Sequence, residues 1–182
     1  PLAVARALEV GARGVLASSS GNAALSAAAY AAAAGLPCSV IVTPALTDAY
    51  RHAIARTGAR FVVCRDSLAR WDVAARMVRE EGWFPLTNHR LPPVGSNPFG
   101  IEGYKTIAYE LVEELGAAPD VVLVPTARGD LIWGIGTGFR ELAEEGVIAR
   151  PPRLIAVEPI PRLSLVLAGQ AAITDSFPGT TR

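Results

Sequence analysis

Short apolar runs alternate with segments of helical period along this chain, and that alternation limits its fold more than any other feature. Strands are predicted at 14–18, 38–42, 60–64, 83–87, 120–125 and 153–158. Helices are predicted at 1–10, 22–34, 46–57, 67–81, 101–115, 130–145 and 162–169. Runs such as Arg60-Phe61-Val62-Val63-Cys64 and Asp120-Val121-Val122-Leu123-Val124-Pro125 are apolar almost throughout. That is the pattern of parallel strands covered by helices on both faces. Repeated βα units of this kind predict a doubly wound α/β architecture of mostly parallel sheets with right-handed crossovers. Ligands in such sheets bind beyond the carboxyl ends of the strands. The longest irregular stretch, Asn88 to Gly100, reads as a lobe boundary or the rim of a site.

Composition removes several functions. The chain has 182 residues, enough for one large domain or two small lobes. Lys+Arg and Asp+Glu both number 17, so there is no electrostatic footprint for nucleic acid or an acidic membrane. Cys38 and Cys64 lie in apolar stretches without a CxxC pair or a His at ligand spacing. They read as buried free thiols of a reducing cytoplasm, with no metal site and no disulfide. His52 and His89 stand alone and read as surface or loop residues. No charge occurs from Ala23 to Thr47, a bilayer-spanning length, but Gly35-Leu36-Pro37 divides it into a helix and a strand. No basic leader or cleavage site stands at the start, so no secretory signal is expected.

Two strand-to-helix turns carry the chemistry. The first is Ser18-Ser19-Ser20-Gly21-Asn22, between an apolar strand and an alanine-rich helix. Backbone N–H groups at such a helix start can face an anion, and Asn22 adds a directional amide donor. A plain N-cap explains the same residues, since Ser and Asn are preferred there. The second turn, Thr126-Ala127-Arg128-Gly129-Asp130, offers free N–H groups, a flexible glycine and a guanidinium. Asp130 suits a helix N-terminus but repels a nearby phosphate. A dinucleotide fingerprint competes at Gly134, Gly136 and Gly138, with Glu158 at the end of the next strand as the ribose acid. Its glycines fall inside the helix instead of in the turn after the strand, so close helix–sheet packing is their plainer role.

Taken together, the chain resembles the fold type II (tryptophan synthase beta-like) pyridoxal-phosphate enzymes, and their threonine synthase branch most closely. The resemblance rests on Ala17-Ser18-Ser19-Ser20-Gly21-Asn22-Ala23-Ala24, on Ala27 to Ala32 and Ala34-Gly35-Leu36-Pro37, and on Thr57-Gly58-Ala59-Arg60. It continues in Asn97-Pro98, in Glu102 to Glu110, and in Val124-Pro125 before the second turn. The resemblance implies pyridoxal 5'-phosphate as cofactor and an amino-acid substrate, undergoing β or γ elimination or replacement as in a lyase. It implies that Asn22 hydrogen-bonds the pyridoxal phenolic oxygen, and that Ser19, Ser20 and Gly21 hold the substrate carboxylate. The cofactor phosphate would sit on Thr126, Ala127, Arg128, Gly129 and Asp130. A homodimer and a cytoplasmic location are further implications, with no nucleic-acid or membrane partner.

Three departures accompany the resemblance. The Schiff-base lysine of the family falls upstream of Pro1, leaving no catalytic residue in this chain. Lys105, the sole lysine, reads as a solvated helix residue. The family's partner for the pyridine nitrogen falls beyond Arg182, and the second turn has fewer glycines than the family pattern. These readings imply an internal piece of an enzyme: residues 1–12 as a helix of the large lobe, 13–95 as the small lobe, and 96–182 as an incomplete large lobe. Where threonine synthases often carry a substrate-binding arginine this chain has Gly100, with Arg90 in the adjacent loop as a possible substitute. The rival readings are a non-catalytic pseudoenzyme or binding module of the same fold and a nucleotide-dependent oxidoreductase.

Overall fold

The computed structural model describes residues 1–90 and 95–171. The segment 91–94 and the last residues, 172–182, lie outside the described residues, and with them part of the expected rim loop. The chain divides into two units, Pro1–Gly100 and Ile101–Arg182.

The first unit runs α1 (Leu2–Glu9), β1 (Val15–Ser18), α2 (Asn22–Ala33), β2 (Cys38–Val42), α3 (Asp48–Ala55), β3 (Arg60–Val63), α4 (Ser67–Glu81) and β4 (Phe84–Pro85). Its four strands pair in parallel in the order β3-β2-β1-β4. Every residue of β1 and β2 is buried, as continuous apolar runs require when both faces are covered. On one face, Ala24, Ala28 and Ala31 of α2 pack with Val15, Val40 and Val42, and Ala7 of α1 joins the same cluster. The other face sets Leu16 and Ile41 against Ala74 and Met77 of α4. Alanines let α2 lie close to the sheet, so its packing comes from shape and not from bulky side chains. The charge-free segment is indeed a helix and a strand, α2 and β2.

The order of the strands locates a crevice. From β1 the chain winds outward through β2 to β3, then crosses back to place β4 on the other side of β1. The sheet's switch point therefore lies between β1 and β4, where ligands of such sheets bind at the carboxyl ends. Edge strand β4 is shorter than its apolar run predicts. Phe84 and Leu86 donate to Gly14 O and Leu16 O of the β1 side, while the missing N–H of Pro85 falls on the open edge, where it costs no ladder bond.

The second unit contains most of the remaining elements. Helix α5 (Pro98–Glu102) bridges the division, followed by α6 (Lys105–Leu115), β5 (Val121–Pro125), α7 (Asp130–Glu144), β6 (Arg153–Val157) and α8 (Leu163–Leu167). Strands β5 and β6 pair in parallel. Val122, Val124 and Leu154 face a core made with Ala108 of α6 and Ile135 and Phe139 of α7. The opposite face departs from the sequence expectation: Leu123 is 64% exposed and Val121 and Val157 are more than two-fifths exposed. Helices cover only one side of this pair among the described residues.

Another difference is the single helix expected at 101–115. It is two helices, α5 and α6, interrupted at Gly103-Tyr104. Asn97 starts α5 early by accepting from the Phe99 N–H at 3.1 Å, with Pro98 at the first helical position.

Candidate functional site

The turn after β1 opens at the switch-point crevice. Ser18 ends the strand, and its N–H donates to Thr87 Oγ1 at 2.9 Å, joining the loops that follow β1 and β4. Ser18 Oγ is itself buried and has no hydrogen-bond partner. Ser19 Oγ accepts from the Gly21 N–H at 3.3 Å, which curls the turn onto its own backbone. Gly21 is the N-cap of α2, and no side chain caps the helix. The capping role open to Ser and Asn is therefore not the one they fill here. Ala24 and Leu25 donate to Gly21 O, at 3.0 and 3.2 Å. The amides ahead of them have no partner within the helix. Ser19, Ser20 and Gly21 are half-buried and Asn22 is exposed. Asn22 Oδ1 accepts from Tyr50 Oη of α3 at 2.6 Å, which leaves the Nδ2 hydrogens as its offered donors. With no charged residue from Gly14 to Thr47, this is a cluster of neutral donors on a helix N-terminus. It can hold a carboxylate or an oxygen of a ring substituent.

The second turn is built differently. Thr126 is buried, and both of its donors are engaged. Its N–H goes to Val157 O at 2.9 Å and its hydroxyl to Val124 O at 2.8 Å. Thr126 thus anchors the turn to the sheet and keeps no donor of its own for a ligand. Gly129 is the N-cap of α7 with φ of +94°, a left-handed conformation that glycine adopts without strain. No side chain caps α7 either. Desolvation and neighbouring Arg162 push the Arg128 pKa down, while Asp130 pushes it up. A guanidinium stays cationic under that balance. Helix N-terminus, guanidinium and left-handed glycine fit a phosphate, and the Asp130 carboxylate opposes it.

The remaining chemistry-bearing residues are structural. Lys105 is an ion-pair residue, not a solvated one: Glu102 and Glu141 both bind its ammonium, the latter at 2.6 Å. Tyr109 Oη donates to the second oxygen of Glu141 at 2.5 Å. The two carboxylates push the Lys105 pKa up, the reverse of what a nucleophilic lysine requires. Glu158 accepts from the N–H groups of Arg162, Leu163 and Ser164 at 3.2, 2.6 and 3.1 Å. Those bonds hold its pKa at about 2 and occupy the acid that a ribose would need. The three α7 glycines are contact points. A Cβ on Gly134 would lie 2.6 Å from Tyr104 Cβ, and one on Gly138 2.7 Å from Lys105 O. Only Gly136 faces the sheet, at Leu154, so the expected helix–sheet packing is mainly helix–helix packing. The dinucleotide reading loses both its glycines and its acid.

Sequence reasoning missed Tyr50 and Thr87. Each meets the first turn across more than two dozen residues of chain, and no short motif signals such a contact. Cys38 and Cys64 are free and buried, as expected. Among the described residues no helix is long and apolar enough to cross a membrane.

A parallel sheet wound in both directions from β1, with helices on both faces, defines a doubly wound α/β protein. The comparisons narrow that class. The family model for pyridoxal-phosphate dependent enzymes matches residues 2–179, and the chain belongs to that family. Threonine synthase of Mycobacterium tuberculosis (strain H37Rv) is 34% identical over 174 residues, covering 91% of this chain and 45% of its own length. Threonine synthase of Methanocaldococcus jannaschii is 32% identical over 160 residues, covering 85% and 37%. Maize serine racemase superposes with a TM-score of 0.74 at 24% identity, covering 93% of this chain and 48% of that one. The fold is that of fold type II pyridoxal-phosphate enzymes, and the cofactor of the family is pyridoxal phosphate. The chain spans less than half the length of these curated relatives.

Proposed function

We propose that this chain is the cofactor- and substrate-holding part of a threonine synthase-like lyase that eliminates or replaces a group at the β or γ carbon of an amino acid. The observation that carries this reading is the uncapped α2 N-terminus, set at the β1–β4 switch point with Asn22 as its first residue. When bound, pyridoxal phosphate supplies an electron sink for negative charge at the substrate α carbon. Asn22 Nδ2 donates to the phenolic oxygen and orients the ring. Ser19, Ser20 and Gly21 bind the substrate carboxylate with N–H and O–H donors, helped by the helix dipole. Ala127, Arg128 and Gly129 take the phosphate, and Thr126 keeps their turn on the sheet. Asp130 lies at the edge of that group, where its carboxylate weakens the hold. The proton-transfer lysine belongs to a segment outside these 182 residues, because Lys105 is committed to Glu102 and Glu141.

In this reading residues 13–95 serve as the small lobe and 96–182 as part of the large one. A homodimer and cytoplasmic location follow the same reading. The Asp130 carboxylate favours one alternative, a binding module of this fold without turnover. Titration with pyridoxal 5'-phosphate tests the assignment. Wild-type chain binds, and Asn22→Ala weakens binding by about tenfold, the size of a lost hydrogen bond or two. Unchanged affinity in that variant refutes the role of Asn22. Wild-type chain that takes up no pyridoxal phosphate refutes the reading that these residues hold the cofactor by themselves.

A further inference from the structure

A side-chain amide has two nearly equivalent orientations, because the last torsion of asparagine is broad and roughly two-fold. Exchanging them swaps a donor for an acceptor at the same point in space. Asn22 is exposed, so packing alone does not choose between them. Tyr50 does. Its ring is half-buried in the first turn of α3 and packs against the core shared by α2, β1 and β2. From that fixed base its hydroxyl reaches Asn22 Oδ1 at 2.6 Å. A phenol on a packed ring has one rotatable proton, and here that proton lies on the Asn22 carbonyl oxygen.

We propose that Tyr50 is a positioning residue: by holding Asn22 Oδ1 it fixes the amide so that Nδ2, and only Nδ2, is presented to a ligand oxygen. The inference rests on the function proposed above, in which that ligand oxygen is the phenolic oxygen of pyridoxal phosphate. It adds a residue of α3 to a site otherwise built from the turn after β1. Tyr50 touches neither ligand nor reacting atoms in this assignment and acts through Asn22.

Two measurements on the 182-residue chain test it. The first uses no ligand. The 15N-resolved side-chain amide of Asn22 gives its own pair of proton shifts in the wild type, and Tyr50→Phe moves them toward those of an asparagine with a free carbonyl oxygen. An unchanged Asn22 amide in Tyr50→Phe overturns the proposal, since the hydroxyl then holds nothing. The second is a double-mutant cycle on binding of pyridoxal 5'-phosphate and of its 3-deoxy analogue. Tyr50→Phe weakens pyridoxal 5'-phosphate by about fivefold, a neutral hydrogen bond's worth, and leaves the 3-deoxy analogue unchanged. Combined with Asn22→Ala it adds no further loss, because both changes remove one device. Additive losses, equal losses for both ligands, or tighter binding by Tyr50→Phe each overturn the proposal. Absence of binding to wild-type chain overturns the proposed function and this role with it, whereas the amide signal still reports whether the bond exists.

Discussion

Single residues in this chain are set by what they are bonded to, and Glu158 illustrates it. Three N–H groups converge on its carboxylate and hold the pKa at about 2. An unfolded glutamate titrates near about 4.3. The folded value is the lower one, so the charged form favours the fold above about pH 4.3, and the contribution is lost as pH falls toward 2. A carbon-detected titration should therefore give Glu158 a midpoint close to 2, and a midpoint near the unfolded value contradicts those three bonds. Cys38 shows the opposite effect, with burial pushing its thiol up to about 11. Near pH 8 the native thiolate is about a hundredfold scarcer than that of an ordinary cysteine. Disulfide reagents should label it far more slowly in native than in urea-unfolded chain, and equal rates would mean the residue is not buried. Both cysteines were readable from sequence because an apolar run around a lone thiol means burial. Tyr50 was not, since its partner Asn22 is 28 residues away and only the packing of α3 on α2 brings them together.

At the scale of elements, the apolar and helical periods located almost every helix and strand, because each period reflects which face is buried. The break between α5 and α6 escaped that reasoning. Its local signal is Gly103, a weak helix former at the break itself, and α7 sets Gly134 and Gly138 against Tyr104 and Lys105 beside it. The same contact makes a prediction. Gly138→Ala improves helix propensity by about 1 kcal/mol. Its Cβ would meet Lys105 O at 2.7 Å and Ala108 Cβ at 2.9 Å, both on backbone-fixed positions. Overpacking costs about 1–3 kcal/mol, so the variant should unfold at lower urea concentration than wild type. A higher midpoint would show that α6 and α7 are not in close contact there.

For the whole molecule, strand order matters more than strand content. Alternating βα units imply parallel sheets, but not that β4 lies beside β1 and so puts the Ser18–Asn22 turn at a switch point. Nor does an apolar run reveal that β5 and β6 keep one face bare, since the run reads alike whether a strand is covered once or twice. The two turns were legible as strand-to-helix turns because strand, small residues and helix start follow one another directly. How their donors are divided was not, because Thr126 spends its own on the sheet while the α2 turn leaves its helix start uncapped. The central proposal is that the start of α2, with Asn22 as its first residue, is a site for pyridoxal 5'-phosphate. The most direct test is an amide shift map of 15N-labelled chain titrated with pyridoxal 5'-phosphate. The account predicts saturable shifts at Ser19–Asn22, with a dissociation constant that Asn22→Ala raises. Shifts absent from that turn would contradict it.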